Sequence, residues 1–79
     1  MNEETKERAD VIRSARLRKG YSQMQAAVIA GVSLKTYQRL ETGERDILKA
    51  SMATGMRICA ALGIDPGRLI LGEEQQAES

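Results

Sequence analysis

Histidine is absent from the sequence, and cysteine occurs once, as Cys59. One cysteine cannot close a disulfide within the chain, and a structural metal site needs several cysteine or histidine ligands. An enzyme site also lacks its usual parts, because there is no histidine base, no glycine-rich phosphate loop and no basic neighbour expected beside Cys59. We therefore expect a protein that is not an enzyme and that has no metal or cofactor, with Cys59 as a small core residue in a reducing compartment.

Long apolar runs are missing as well. No stretch of the sequence reaches the length needed to cross a bilayer, and MNEETKERAD lacks the apolar region of a signal peptide. We therefore expect a cytoplasmic protein with no membrane partner. The chain has 79 residues, which is enough for one small domain, and it shows neither an internal repeat nor the alternation of a strand. These features predict a single all-α domain.

The net charge is only +1, which by itself argues against a nucleic-acid partner. The distribution is more informative: residues 5–72 contain 12 basic and 6 acidic residues, and the other acids lie at the two ends. Six of the basic residues fall within Lys6–Lys19. Such a cluster is usually a solvated helix face, but here it directly precedes a pair of short helical patterns. That position favours contact with phosphates.

The first helix is predicted over Lys6–Lys19, since this stretch contains no glycine or proline. Ala9, Ile12 and Ala15 supply its apolar stripe, and Gly20 follows as a stop signal. Residues 1–5 are expected to form a flexible arm.

Two short helices are predicted over Gln23–Ala30 and Leu34–Glu41. Ser22 and Ser33 can cap them, and Gly31 stands where the chain must reverse. By helical spacing, the predicted buried positions of the pair are Ala26, Ala27, Ala30, Tyr37 and Leu40. The predicted outer face of the second helix carries Leu34, Lys35, Gln38 and Arg39. A helix of this kind suits insertion into a DNA major groove.

The remaining chain predicts a polar loop and two more helices. In the loop over Glu44–Ala50, Ile47 and Leu48 are expected to pack against the core. A fourth helix over Met52–Leu62 contains Gly55, which we expect to mark close backbone packing. Its predicted buried residues are Met52, Met56, Cys59 and Leu62.

The fifth helix is predicted over Pro66–Leu71. It ends in three adjacent apolar residues, so at least one should point outward as part of a candidate dimer surface. Residues 72–79 are acidic and polar, and we expect a disordered tail there.

The block IRSARLRKGYSQMQAAVIAGVSLKTYQRLETGER resembles the helix-turn-helix domain of phage repressors and xenobiotic-response-element (XRE) type regulators. It keeps that pattern at Ile12, Arg16, Gly20, Ser22, Gln23, Ala27, Gly31, Val32, Ser33, Thr36, Arg39, Glu41 and Gly43. The tail ICAALGIDPGRLI is similar to the last two helices of the family. The resemblance implies a five-helix, lambda-repressor-like DNA-binding domain over residues 6–71.

Several positions depart from the family pattern. Ala15 and Ala26 stand where leucine is usual, and Tyr37 stands where isoleucine is usual, which predicts a thinner core in the first two helices and a bulkier third helix. Met24 and Val28 lie one turn apart on the second helix, where charged residues are common. We favour scattered surface apolarity for these two over a contact site for a partner.

The resemblance also implies the roles of individual residues. Leu34, Lys35 and Arg39 occupy base-reading positions, and Gln38 shares their face. Phosphate contacts are implied for Gln23, Ser33, Thr36, Thr42 and Arg45, and a salt bridge is implied between Arg16 and Glu41. Other interpretations stay open: Ser33 as only a helix cap, Arg39 paired with a nearby acid, and Gln23 as an exposed residue without a partner.

Together these patterns predict a sequence-specific regulator of transcription, a repressor that binds double-stranded DNA as a homodimer, with no small-molecule ligand. The alternative is a protein-interaction module, or an antitoxin-type component, that acts mainly through a partner protein.

Overall fold

The computed structural model of the chain describes residues 2–71, with the side chain of Leu71 excepted. Within that range the protein is all-α and contains no strand, as predicted. The helices are α1 Glu3–Lys19, α2 Gln23–Ala30, α3 Leu34–Thr42, α4 Met52–Leu62 and α5 Pro66–Leu71, with a short 3₁₀ helix, Ile47–Lys49, before α4. No helix in this part of the chain combines the length and the apolarity that a bilayer crossing requires.

Helix α1 begins at Glu3, three residues earlier than predicted. The side chain of Asn2 caps it by accepting a hydrogen bond from the backbone N–H of Thr5 at 2.7 Å. Thr5 is itself buried and donates from its hydroxyl to Asp46 at 2.8 Å. The prediction of a flexible arm is therefore wrong for residues 3–5. Met1 and the predicted tail over residues 72–79 lie outside the described residues.

The other helix limits follow from local capping. The hydroxyls of Ser22, Ser33 and Ser51 each accept from a backbone N–H three residues later, at 3.0 to 3.1 Å. Gly20 and Gly31 end α1 and α2 with φ of +76° and +73°, which glycine adopts without the steric cost of a Cβ atom. The predicted limits of α2, α4 and α5 are confirmed, and α3 extends one residue beyond its predicted end, to Thr42.

The core lies where α1, α2, α3 and α4 meet. Its four largest fully buried side chains are Ile12, Tyr37, Leu40 and Ile58. The alanines predicted to be buried on α2 are buried, so the helices approach closely there. Tyr37, the largest of these side chains, belongs to the same buried cluster as the small residues Ala15, Ala26, Ala27 and Ala30.

Helix α4 is rotated about its axis relative to the prediction. Cys59 and Leu62 are buried as expected, but the third buried residue is Ile58, while Met52 and Met56 are exposed. The helix carries apolar residues on two faces, and only packing against α1 and α2 selects between them. Leu48 is also exposed, so of the two loop residues expected in the core only Ile47 is buried.

Gly55 does not mark close packing within the described chain. A Cβ atom built there would meet no heavy atom within 4 Å, so the expectation of a close backbone neighbour is wrong. A helix-interior glycine costs about 1 kcal/mol relative to alanine, and no contact within the described fold offsets that cost.

Helix α5 buries Leu69 and exposes Ile70, which confirms that one of its apolar residues points outward. The dimer surface suggested for this end of the domain remains a prediction.

Candidate nucleic-acid interface

Helices α2 and α3 form one unit whose turn is closed by local hydrogen bonds. Ser22 and Gln25 make a reciprocal capping box at the start of α2. At the turn, the Val32 N–H donates to the carbonyl of Ala27 at 3.0 Å. Ser33 then caps α3. Because the backbone groups at the turn are paired locally, the angle between the two helices is fixed by short-range structure.

One face of α3 is buried and the opposite face is open. Tyr37 and Leu40 anchor the helix in the core. Lys35, Gln38 and Arg39 are exposed at positions i, i+3 and i+4, which places them on one side of the helix. Leu34, at the start of the helix, is half-buried. The structure therefore brings the residues predicted to read bases together on one surface.

Gln23 links this surface to the interior. Its Oε1 accepts from Nε2 of Gln38 at 3.1 Å, and its own Nε2 donates to Oε1 of Glu41 at 3.3 Å. The interpretation of Gln23 as a residue without a partner is therefore wrong. Gln23 connects α2 to two residues of α3, and its phosphate contact remains a prediction.

Arg16 and Glu41, which the resemblance paired, form a bidentate ion pair between α1 and α3. Nε of Arg16 donates to Oε2 at 2.9 Å and Nη2 donates to Oε1 at 2.8 Å, while Nη1 donates to the carbonyl of Tyr21 at 2.8 Å. Burial alone would raise the pKa of Glu41, but the neighbouring Arg16 guanidinium, through its hydrogen bonds and its charge, holds that pKa below its usual range. The pair fixes the orientation of α3 relative to α1.

The hydroxyl of Tyr37 lies beside this ion pair. It is buried and has no hydrogen-bond partner among the described residues. Burial, and next the neighbouring Glu41 carboxylate, raise the pKa of Tyr37, so the phenol is neutral at any physiological pH. The aromatic ring fills the core, and the hydroxyl adds no hydrogen bond to it.

The residues expected at phosphates already hold local hydrogen bonds. The hydroxyl of Ser33 accepts from the N–H of Thr36 and donates to its hydroxyl at 2.9 Å, so Ser33 is a cap in this structure. Thr42 donates to the carbonyl of Arg39 at 3.3 Å. Arg45 is exposed and donates from Nη2 to the carbonyl of Lys49. Their phosphate contacts remain predictions.

Arg39 is paired with an acid in the free protein. Its Nε lies 3.3 Å from Oε2 of Glu44, and both side chains are largely exposed. Exposed pairs of this kind contribute about 0–1 kcal/mol. Arg39 can therefore exchange Glu44 for a DNA group at small cost.

A second ion pair was not foreseen from the sequence. Nη2 and Nε of Arg8 donate to the Asp46 carboxylate at 2.6 and 2.9 Å, and Thr5 donates to the same carboxylate. The hydrogen bonds from Arg8 hold the pKa of Asp46 well below its usual range. The cluster ties the loop after α3 to α1. Helical periodicity could not reveal it, because 38 residues separate Arg8 from Asp46, and the family resemblance did not pair these two residues.

The class that this geometry defines is a helix-turn-helix domain: two short helices at a glycine turn, with the second anchored on one side and exposed on the other. Comparison with protein families agrees, since the Helix-turn-helix domain model matches residues 9–69. The chain belongs to this family of DNA-binding, typically non-enzymatic domains. No match was found among curated proteins.

Proposed function

We propose that the protein is a sequence-specific transcriptional regulator of the XRE type, a cytoplasmic repressor that binds double-stranded DNA as a homodimer. The observation that carries the proposal is the open face of α3, where Lys35, Gln38 and Arg39 stand together while Tyr37 and Leu40 are buried behind them. The major groove admits one helix presented in this way. A domain seated there blocks access of other proteins to the same DNA, which is repression.

Lys35 and Arg39 read guanine in this proposal. Their side chains only donate hydrogen bonds, and guanine presents two acceptors, O6 and N7, in the major groove. Leu34, at the N-terminal end of α3, supplies an apolar contact for a thymine methyl group.

Gln38 reads adenine. One of its two amide N–H groups is donated to Gln23, which leaves one N–H and the Oε1 atom for DNA. Adenine presents one acceptor, N7, and one donor group at N6, which match these two atoms. Because Gln23 is itself held by Glu41, the rotamer of Gln38 is set before DNA binds, and the entropic cost of ordering it is reduced.

In this proposal, contacts with the phosphates of the DNA backbone position the domain. Ser33 and Arg45 lie just outside the two ends of α3, Thr36 and Thr42 lie within it, and Gln23 retains one amide N–H that can donate to a phosphate. One recognition helix reads only a few base pairs. Two copies on half-sites about 34 Å apart, one turn of DNA, provide useful specificity.

The test begins with selection from random duplex DNA, followed by fluorescence anisotropy on the selected operator. Each of Lys35→Ala and Arg39→Ala should lower the affinity by about 5- to 150-fold, equivalent to about 1–3 kcal/mol per base contact. Arg57→Ala is the matched control, since it removes one exposed positive charge from α4. If both α3 variants bind the operator as tightly as the parent protein, α3 is not the reading helix.

A second candidate function is a protein-interaction module or antitoxin-type component. It is supported by Met24 and Val28, both exposed on α2, and by the net charge of only +1. Salt dependence separates the two candidates. Phosphate contacts make DNA affinity fall steeply between about 50 and 200 mM salt, whereas a flat response would favour the protein partner.

A further inference from the structure

The carboxylate of Asp46 joins two separate parts of the fold. Nε and Nη2 of Arg8 and the hydroxyl of Thr5 donate to it from α1, at 2.6 to 2.9 Å. The backbone N–H of Leu48 donates to its Oδ1 at 3.0 Å and so caps the 3₁₀ helix. Only 14% of the Arg8 side chain and 8% of the Asp46 side chain are exposed, so solvent screens this ion pair little. The loop after α3 is therefore held against α1 in one geometry.

Arg45 directly precedes Asp46, and its backbone is held on both sides. Its N–H donates to the carbonyl of Arg39 in α3 at 3.1 Å, and the side chain that follows it is bound to α1. The Arg45 side chain is exposed, and its Nη2 donates to the carbonyl of Lys49 at 3.2 Å. The other N–H groups of the guanidinium remain for an external acceptor. The loop thus presents a cation at a fixed place beside the end of α3.

The ion pair also sets the charge of this loop. A carboxylate beside Arg45 with no cation of its own would repel DNA phosphates and compete with them for the Arg45 guanidinium. Arg8 neutralises that carboxylate and draws it toward α1. Arg45 is therefore left as the cation of the segment that joins α3 to the 3₁₀ helix.

We propose that Asp46, held by Arg8 and Thr5, is a positioning residue for DNA binding: it fixes Arg45 where that side chain meets a phosphate, and makes no DNA contact of its own. The inference rests on the proposed function, in which Arg45 donates to a phosphate. A group that is already in place loses less conformational entropy on binding than one that DNA must order. Because phosphate contacts set the register of a recognition helix, the ion pair also sets how α3 enters the groove.

The test measures DNA affinity of the full chain by fluorescence anisotropy at several salt concentrations, with Asp46→Asn as the main variant. An asparagine keeps the oxygen that caps Leu48, but its amide nitrogen cannot accept the bonds that Thr5 and Nη2 of Arg8 donate to Oδ2. Circular dichroism checks that the variant is folded. Asp10→Asn is the matched control, since it makes the same change at an exposed carboxylate of α1.

The sign of the effect separates positioning from charge. Removing a carboxylate by itself favours binding to a polyanion, so Asp10→Asn should leave the affinity unchanged or slightly higher. Asp46→Asn should instead lower the affinity about three- to tenfold, on the selected operator and on random duplex alike, because a phosphate contact carries no sequence information. The slope of log affinity against log salt should become shallower by about 0.9, the value for one phosphate. Arg8→Gln, which changes the charge in the opposite direction, should also weaken binding.

A double-mutant cycle with Arg45→Ala identifies the residue through which Asp46 acts. In the Arg45→Ala background, Asp46→Asn should lower the affinity by less than about twofold, since the contact that it positions is already gone. The inference is overturned if the two losses are fully additive, if Asp46→Asn binds as tightly as the parent, or if Asp10→Asn weakens binding equally.

Amide hydrogen exchange without DNA separates failure of this inference from failure of the proposed function. The N–H groups of Arg45 and Lys49 should exchange at least about tenfold faster in Asp46→Asn, relative to the N–H of Val32 at the turn between α2 and α3. Unchanged exchange of the two loop amides would show that Asp46 does not hold the loop and would overturn the inference. A parent protein that binds no DNA would reject the proposed function and the phosphate contact with it, while faster exchange would still show that Asp46 holds the loop.

Discussion

Replacing Arg16 with methionine should destabilise the domain by about 3 kcal/mol. The side chains of Arg16 and Glu41 are only 12% and 3% exposed, so the change leaves a buried carboxylate without its cation. Removing one partner of a buried ion pair typically costs about 3–5 kcal/mol. We take the lower end because Gln23 still donates to Glu41 after the substitution.

The same reasoning predicts that the double variant Arg16→Met/Glu41→Leu recovers most of the loss. It removes both charges and replaces them with apolar side chains of similar length, an exchange that is often close to neutral. The two substitutions should therefore be coupled by about 2 kcal/mol or more.

The assay is urea unfolding at pH 7, followed by circular dichroism, for the parent, both single variants and the double variant. In thermal unfolding, about 3 kcal/mol corresponds to a Tm lower by about 12–24 °C for a domain of this size. A loss below about 1 kcal/mol for Arg16→Met would refute the argument. The argument would also be refuted if the double variant lost as much stability as the two single variants lose together. In that case the loss would not come from a buried charge left without its partner.

Three further predictions concern stability. The pKa values of Glu41 and Asp46 are both lowered by folding. The stabilisation that these carboxylates provide is therefore complete above the unfolded-state pKa and is lost as the pH falls, so acid unfolding should begin below about pH 4.5. Asp46→Asn should make the free energy of unfolding depend less steeply on pH. Gly20→Ala should destabilise the protein by about 1–2 kcal/mol because φ is +76° there, whereas Gly55→Ala should stabilise it by about 0.5–1 kcal/mol because Gly55 lies within a helix. Urea unfolding measures both changes, and equal effects would show that the two glycines do not differ in their backbone requirement. Tyr37→Phe should change stability by less than about 0.5 kcal/mol, and a loss above about 1.5 kcal/mol would reveal a hydrogen bond at the hydroxyl.

Sequence patterns were most reliable where a short stretch of chain carries its own signal. Ser22, Ser33 and Ser51 mark helix starts because each hydroxyl bonds a backbone N–H only three residues away. Gly20 and Gly31 mark ends because the reversal needs a positive φ. The arrangement of Lys35, Gln38 and Arg39 on one side of α3 follows from helix periodicity in the same way.

The patterns failed where two distant segments decide the outcome. Met52 and Met56 match a buried stripe as well as Ile58 does, and the rotation of α4 depends on the shapes of α1 and α2 that it meets. The sequence predicts that Glu3 and Thr5 belong to a flexible arm, because no residue nearby in the chain indicates otherwise. The Asp46 carboxylate that accepts the hydrogen bond from Thr5 lies 41 residues away.

The amino-acid sequence alone determined where α2 to α5 begin and where the chain reverses between helices, since caps, glycines and periodicity act over about four residues. Tertiary structure alone decided which apolar residues stay outside, how Gln23 holds Gln38, and how Arg8 reaches Asp46. These features depend on contacts between helices that are distant in the chain. No short-range preference of the backbone specifies them, because several rotations of a helix bury a similar amount of apolar surface and packing selects among them.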